Sequence, residues 1–98
     1  MREDIAWKLE GLLATRYKDL FYVANHIKDD GDGRYLWVYR NSDQKMIMVI
    51  HGGEWEEFEI KLITADEGIT VDKRFEEEEE MIAYLENKLL DDLMVYEI

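Results

Sequence analysis

The sequence predicts an α+β fold: an N-terminal helix, an antiparallel sheet of four to five strands made of hairpins, and a C-terminal helix packed on one face. Apolar residues recur at helical spacing near both ends of the chain, and the middle alternates polar and apolar residues with a period of two. Asp-Gly and Gly-Gly pairs punctuate that middle, where tight hairpins need positive φ. The 98 residues, 47% of them hydrophobic, suffice for one core and not for two, so residues 1–98 are expected to form a single domain.

From Asp4 to about Tyr17, Ile5, Leu9, Leu12 and Leu13 fall on one helical face. Gly11 costs a helix interior about 1 kcal/mol against alanine, which suggests a close packing contact there. In Asp19 to Lys28, the alternation of Phe21, Val23 and Ile27 with Tyr22, Ala24 and His26 favours a strand. A turn at Asp29 to Gly33 leads to a second strand, Arg34 to Arg40, with Tyr35, Trp37 and Tyr39 on one face and Leu36 and Val38 on the other. Asn41 to Gln44 closes a hairpin.

Lys45 to His51 is nearly all apolar, as in a central strand covered on both faces, and Gly52-Gly53 turns it. In Trp55 to Ile63, Phe58, Ile60 and Leu62 would face the core, with Glu57, Glu59 and Lys61 facing water. Ala65 to Gly68 reads as a turn and Ile69 to Lys73 as a short strand. Glu76 to Met94 reads as one helix with Ile82, Leu85, Leu89 and Leu93 as its apolar stripe, and Val95, Tyr96 and Ile98 are expected to pack back on the sheet.

Composition narrows the function. Without cysteine there is no disulfide framework, thiolate metal site or cysteine nucleophile, and the start of the chain lacks the pattern of a signal peptide, so a reducing, cytoplasmic setting is expected. No run is long enough to span a membrane as a helix. The formal charge of -12 opposes direct nucleic-acid binding. Residues 1–50 hold eight acidic and eight basic residues while residues 51–98 hold sixteen and four, so the whole excess lies in the second half.

Motifs of catalysis are not found. Asp29, Asp30 and Asp32 fail the calcium-loop pattern, because the sixth position from Asp30 is Tyr35 and the twelfth is Asn41. His26 and His51 lie on separate strands with no motif joining them, and packed or half-exposed histidines are the plainer reading. His51-Gly52-Gly53 has no Gly-x-Ser-x-Gly partner, and no phosphate loop or dinucleotide fingerprint occurs. No catalytic residue, metal ligand or cofactor is assigned, and an enzyme is not expected. Tyr35, Trp37 and Tyr39, with Trp55, would serve as a core face, a stacking platform or a partner-binding patch.

The acids carry the functional expectation. Glu54, Glu56, Glu57 and Glu59 decorate a hairpin and Glu76, Glu77, Glu78, Glu79 and Glu80 form an unbroken run. Glutamates in a first helical turn complement the macrodipole, and a solvated face accounts for others, yet five in succession repel one another beyond what capping needs. Such a density approaches that of a duplex, which carries one charge per about 1.7 Å of axis. In size and charge, not in residues, the chain resembles small acidic phage inhibitors of host nucleases, anti-CRISPR proteins among them, and bacterial nuclease immunity proteins. The charge placement leads to the expectation of a DNA-mimic surface that occupies the basic groove of a nucleic-acid-processing partner protein, with Trp55 as its apolar anchor. The alternative is a homo-oligomeric or assembly module that associates through Tyr35, Trp37 and Tyr39 and uses its acids for solubility.

Overall fold

A computed structural model describes residues 1–27, 33–53, 56–64 and 70–95. Among them the order is α1 (Glu3–Arg16), β1 (Phe21–Ile27), β2 (Arg34–Arg40), β3 (Met46–Gly52), β4 (Phe58–Ile63), β5 (Thr70–Phe75), α2 (Glu78–Asn87) and α3 (Leu89–Val95). The strands form one antiparallel sheet in sequence order, so each pairs with its chain neighbour. The α+β class and the sheet of hairpins are as the sequence predicts. The turns expected at Asp29 to Asp32 and Ala65 to Gly68, and Tyr96 to Ile98, lie outside the described residues.

Strand alternation sorts the sheet into two faces. Phe21 and Val23, Leu36 and Val38, Met48 and Ile50, Phe58, Ile60 and Leu62, and Val71 and Phe75 share one face through the cross-strand registers. These residues meet Ile5, Leu9 and Leu13 of α1, Met81 and Leu85 of α2, and Leu89 and Leu93 of α3 in one hydrophobic core. Helix-to-sheet bonds fall on that face: Asn25 Nδ2 donates to Glu10 at 3.0 Å, and Lys73 sits 3.7 Å from Asp92. The opposite face carries no helix among the described residues. The β3 strand is central, as its apolar run predicts, but among the described residues helices cover only one of its faces.

The two long helices run side by side in the same direction. Lys8 Nζ donates to Glu78 at 2.7 Å, and eight residues further along both helices Arg16 donates to the Glu86 carbonyl at 2.8 Å. The Tyr17 hydroxyl donates to the Leu85 carbonyl beside it, a buried bond that ties the end of α1 to α2. This parallel pairing brings both N-termini to one end of the molecule.

Three expectations are corrected. The C-terminal helix is two helices: Lys88 leaves helical geometry at φ -121°, and the Tyr84 hydroxyl bridges the break to Asp92 at 2.7 Å. Asn87, a residue of poor helix propensity, ends the first of them. Gly11 is no packing contact, since a Cβ there would meet nothing within 4 Å. The strand expected from Trp55 is β4, which begins at Phe58 with Glu56 and Glu57 outside it, while Trp55 itself lies outside the described residues.

Candidate acidic interface

The sheet register relates the two acidic segments. Phe58 pairs with Phe75 at the last position of the β4–β5 ladder, and Glu57 and Glu76 are the next residues of the two segments beyond it. Antiparallel partners lie about 5 Å apart between Cα atoms, which makes the two acidic segments neighbours at this end of the sheet. Glu56, Glu57, Glu76 and Glu77 are all exposed. The hairpin acids and the acids of the run thus meet at one end.

The helices add to the same end. Glu77 is the N-cap of α2 in extended backbone geometry, and Glu78, Glu79 and Glu80 form its first turn. The five-glutamate run is therefore not wrapped around a helix as expected. Glu76 and Glu77 extend from the strand, which separates their charges, and three acids remain at the N-terminus, where the macrodipole favours them. Parallel α1 contributes Glu3 and Asp4 in its own first turn. Met1 is anchored beside them, its ammonium donating to the Arg34 carbonyl at 2.8 Å.

Among the described residues, the cations at the two helix N-termini are engaged. Arg2 pairs with Asp4 at 3.3 Å, Arg34 with Glu3 at 3.4 Å, and Lys8 with Glu78 at 2.7 Å. The Lys8 ammonium is held above the usual lysine range, first by its hydrogen bond and charge interaction with Glu78, then by the fields of Asp4 and Glu79. Glu56, Glu57, Glu76, Glu77, Glu79 and Glu80 form no ion pair among the described residues, and each faces solvent. Glu54 and Trp55, expected as part of the same surface, lie outside the described residues.

Glu59 does not belong to this surface. Its side chain projects onto the helix-free sheet face and is 7% exposed, not open to water as strand alternation suggested. His51 Nε2 lies 2.6 Å from one carboxylate oxygen and Lys61 Nζ 3.7 Å from it, while Arg74 approaches the other at 2.9 Å. The register explains the cluster: Glu59 stands opposite His51 on β3 and opposite Arg74 on β5. Arg74 is raised above its ordinary range by its hydrogen bond to Asp72, then by Glu59, with a smaller field from Glu57. One buried carboxylate among three basic groups is a fastening between strands, and its charge is spent internally.

The same face carries the aromatic set. His26 stacks on Tyr35 at 5.3 Å and meets Trp37 at 4.3 Å, and Tyr22 stacks on Tyr39 at 5.1 Å. Tyr35, Trp37 and Tyr39 are thus half-buried side chains of an uncovered face and not the core, which takes Leu36 and Val38. The histidines are far from one another in role: His26 is an aromatic stacking partner and His51 belongs to the Glu59 cluster. Among the described residues no group of three or more His, Asp and Glu side chains is arranged to hold a metal ion, and no helix is long and apolar enough to cross a membrane.

Comparison with known proteins adds no relative: no family model, curated protein or solved structure matches this chain.

Proposed function

We propose that this protein is a small acidic inhibitor or decoy that places its carboxylate-rich end in the basic nucleic-acid groove of a partner protein. The observation that supports the reading is the β4–β5 register, which ends at Phe58 and Phe75 with Glu57 and Glu76 as the next residue of each segment. With the parallel helices it gathers Glu56, Glu57, Glu76, Glu77, Glu79 and Glu80 at one end, exposed and without ion pairs among the described residues. A surface of this kind attracts lysine and arginine side chains built to hold phosphates, and it steers association through long-range charge. Binding requires no chemistry of this chain, and cytoplasmic nucleases and other nucleic-acid-processing enzymes are the natural partner class.

The test is affinity capture from a lysate at low and high salt, with wild type and with a variant carrying Gln at those six positions. A basic partner that is retained at low salt, released at high salt and missed by the variant supports the reading. A partner held equally by both proteins at every salt concentration sinks it.

A second reading, an interaction module that docks another protein on its aromatic sheet face, is favoured by Tyr22, His26, Tyr35, Trp37 and Tyr39 standing where no described helix covers them. Trp37→Ala separates the two, because it removes that docking and leaves the acidic end intact.

A further inference from the structure

The two edges of the sheet differ in kind. β5 carries Asp72, Lys73 and Arg74 at its middle, charges that discourage pairing with another strand. β1 carries no Asp, Glu, Lys, Arg or Pro, and it pairs with β2 at seven consecutive positions without a bulge. Large side chains stand exposed on it, Tyr22 at 43% and Ile27 at 57%, and Leu20 just before it is 47% exposed. A bulge-free, uncharged edge that pairs with no second strand among the described residues is a template for one more strand.

Backbone direction identifies the outward groups of that edge. The Asn41 N–H donates to the Leu20 carbonyl at 2.8 Å, which makes Leu20 and Asn41 a hydrogen-bonded pair in line with the β1–β2 register. Hydrogen-bonded pairs alternate in an antiparallel ladder, so Tyr22, Ala24 and His26 bond inward to β2. Val23, Asn25 and Ile27 then direct their N–H and C=O groups away from the sheet.

We infer that β1 pairs antiparallel with β1 of a second copy about a two-fold axis at Ala24, joining two sheets into one. In that register Val23 faces Asn25 of the other copy in a hydrogen-bonded pair, and Ile27 donates to the Phe21 carbonyl. The Phe21 N–H is already bonded to Tyr17, so it is not stranded by the pairing. Ala24, the smallest side chain of the strand, meets itself in the non-hydrogen-bonded pair at the axis, where strands approach to about 4.5 Å. Tyr22 falls opposite His26, which extends across the seam the cross-strand stacking already present between Tyr22 and Tyr39 and between His26 and Tyr35.

The register selects a second copy as the occupant, because a strand without charged side chains that meets itself about Ala24 sets no like charges opposite one another. Each chain has a formal charge of -12, so two copies repel through most of their surface. β1 is uncharged and lies four strand spacings, about 19 Å, from β5 and the acids beside it. The two-fold axis reverses strand direction and thus sends the two acidic ends to opposite ends of the dimer. The pairing is independent of the proposed acidic-end binding, and the two differ in sign toward salt: salt weakens acidic-end binding and, by screening the like charges, strengthens the dimer.

Sedimentation equilibrium of the full chain over a wide concentration range tests this, with Ala24→Lys and Val23→Pro as variants. Ala24→Lys sets two like charges opposite one another at the axis, and Val23→Pro removes an outward N–H at an edge position that tolerates proline. The expected result is a wild-type mass that doubles with concentration, more readily at higher salt, and a dissociation constant raised at least about tenfold in each variant. Amide exchange at Val23, Asn25 and Ile27 should slow as concentration rises, a readout that does not depend on variants folding. A wild type that stays monomeric throughout, a dimer unaffected by both variants, or exchange at these amides independent of concentration overturns the inference.

Discussion

Replacing Glu59 by Gln separates the structural carboxylate from the ones proposed to bind. The substitution keeps the shape of the side chain and removes its charge while His51, Lys61 and Arg74 remain within 2.6 to 3.7 Å. Breaking a fully buried ion pair costs about 3–5 kcal/mol, and an exposed pair is worth about 0–1 kcal/mol. Glu59 is buried but its partners are not: the Arg74 and Lys61 side chains are 61% and 44% exposed and recover hydration once the carboxylate is neutral. The cost therefore falls between the limits, at about 1–2 kcal/mol, and each kcal/mol lowers the midpoint by about 4–8 °C in a domain of this size. Thermal and urea denaturation give the stability, and titration against the captured partner gives the affinity. A Glu59→Gln protein that is destabilised but binds normally is the expected result. One that keeps its stability and loses the partner refutes the placement of Glu59 outside the binding surface.

Other consequences follow from single positions. Gly11→Ala should stabilise the protein by about 0.5–1 kcal/mol in the same denaturation assays, because the helix gains alanine's propensity and the new methyl meets nothing within 4 Å. Gly52→Ala should destabilise by more than about 1 kcal/mol, since its φ is 95° and a Cβ would overlap the Glu57 carbonyl oxygen. Asp43 is held down to about 2 from an ordinary 3.8, chiefly by its hydrogen bonds from Arg40, opposed by desolvation and helped by the Lys45 N–H. A depressed carboxylate stabilises the fold above its unfolded value, so the difference between wild type and Asp43→Asn should be full above about pH 4 and vanish as pH falls through about 2.

Most of the fold was legible because local pattern and tertiary structure agree. The period-two alternation of β1, β2 and β4 and the glycine turns named the strands, and strands joined by short turns pair with their neighbours. The break at Lys88 was not legible, because the apolar stripe of Leu85, Leu89 and Leu93 continues through it and the bridge from Tyr84 to Asp92 is a tertiary feature. Gly11 misled for a related reason: a glycine in a helix signals either close approach or open surface, and sequence spacing does not separate the two.

The candidate site was legible in its composition and illegible in one member. Alternation alone places Glu57 and Glu59 on the same side of a strand, yet Glu57 precedes the ladder while Glu59 sits inside it between two neighbours. The signal that would have found its partners is register: with the turn at Gly52-Gly53 and a short loop after it, His51 stands opposite Glu59, and the next hairpin sets Arg74 there as well. Loop length fixes that register, and the residues of those loops do not announce it. β2 illustrates the same limit, since it is paired on both sides, and only its face and not its edge is open to a partner.

Displacement by duplex DNA probes the central idea most directly. With the captured partner bound to this protein, addition of a short DNA duplex should release it in proportion to the DNA's own affinity for the partner, because both ligands then contend for one set of cationic side chains. A stable ternary assembly of protein, partner and DNA, with no release at saturating duplex, would contradict the account.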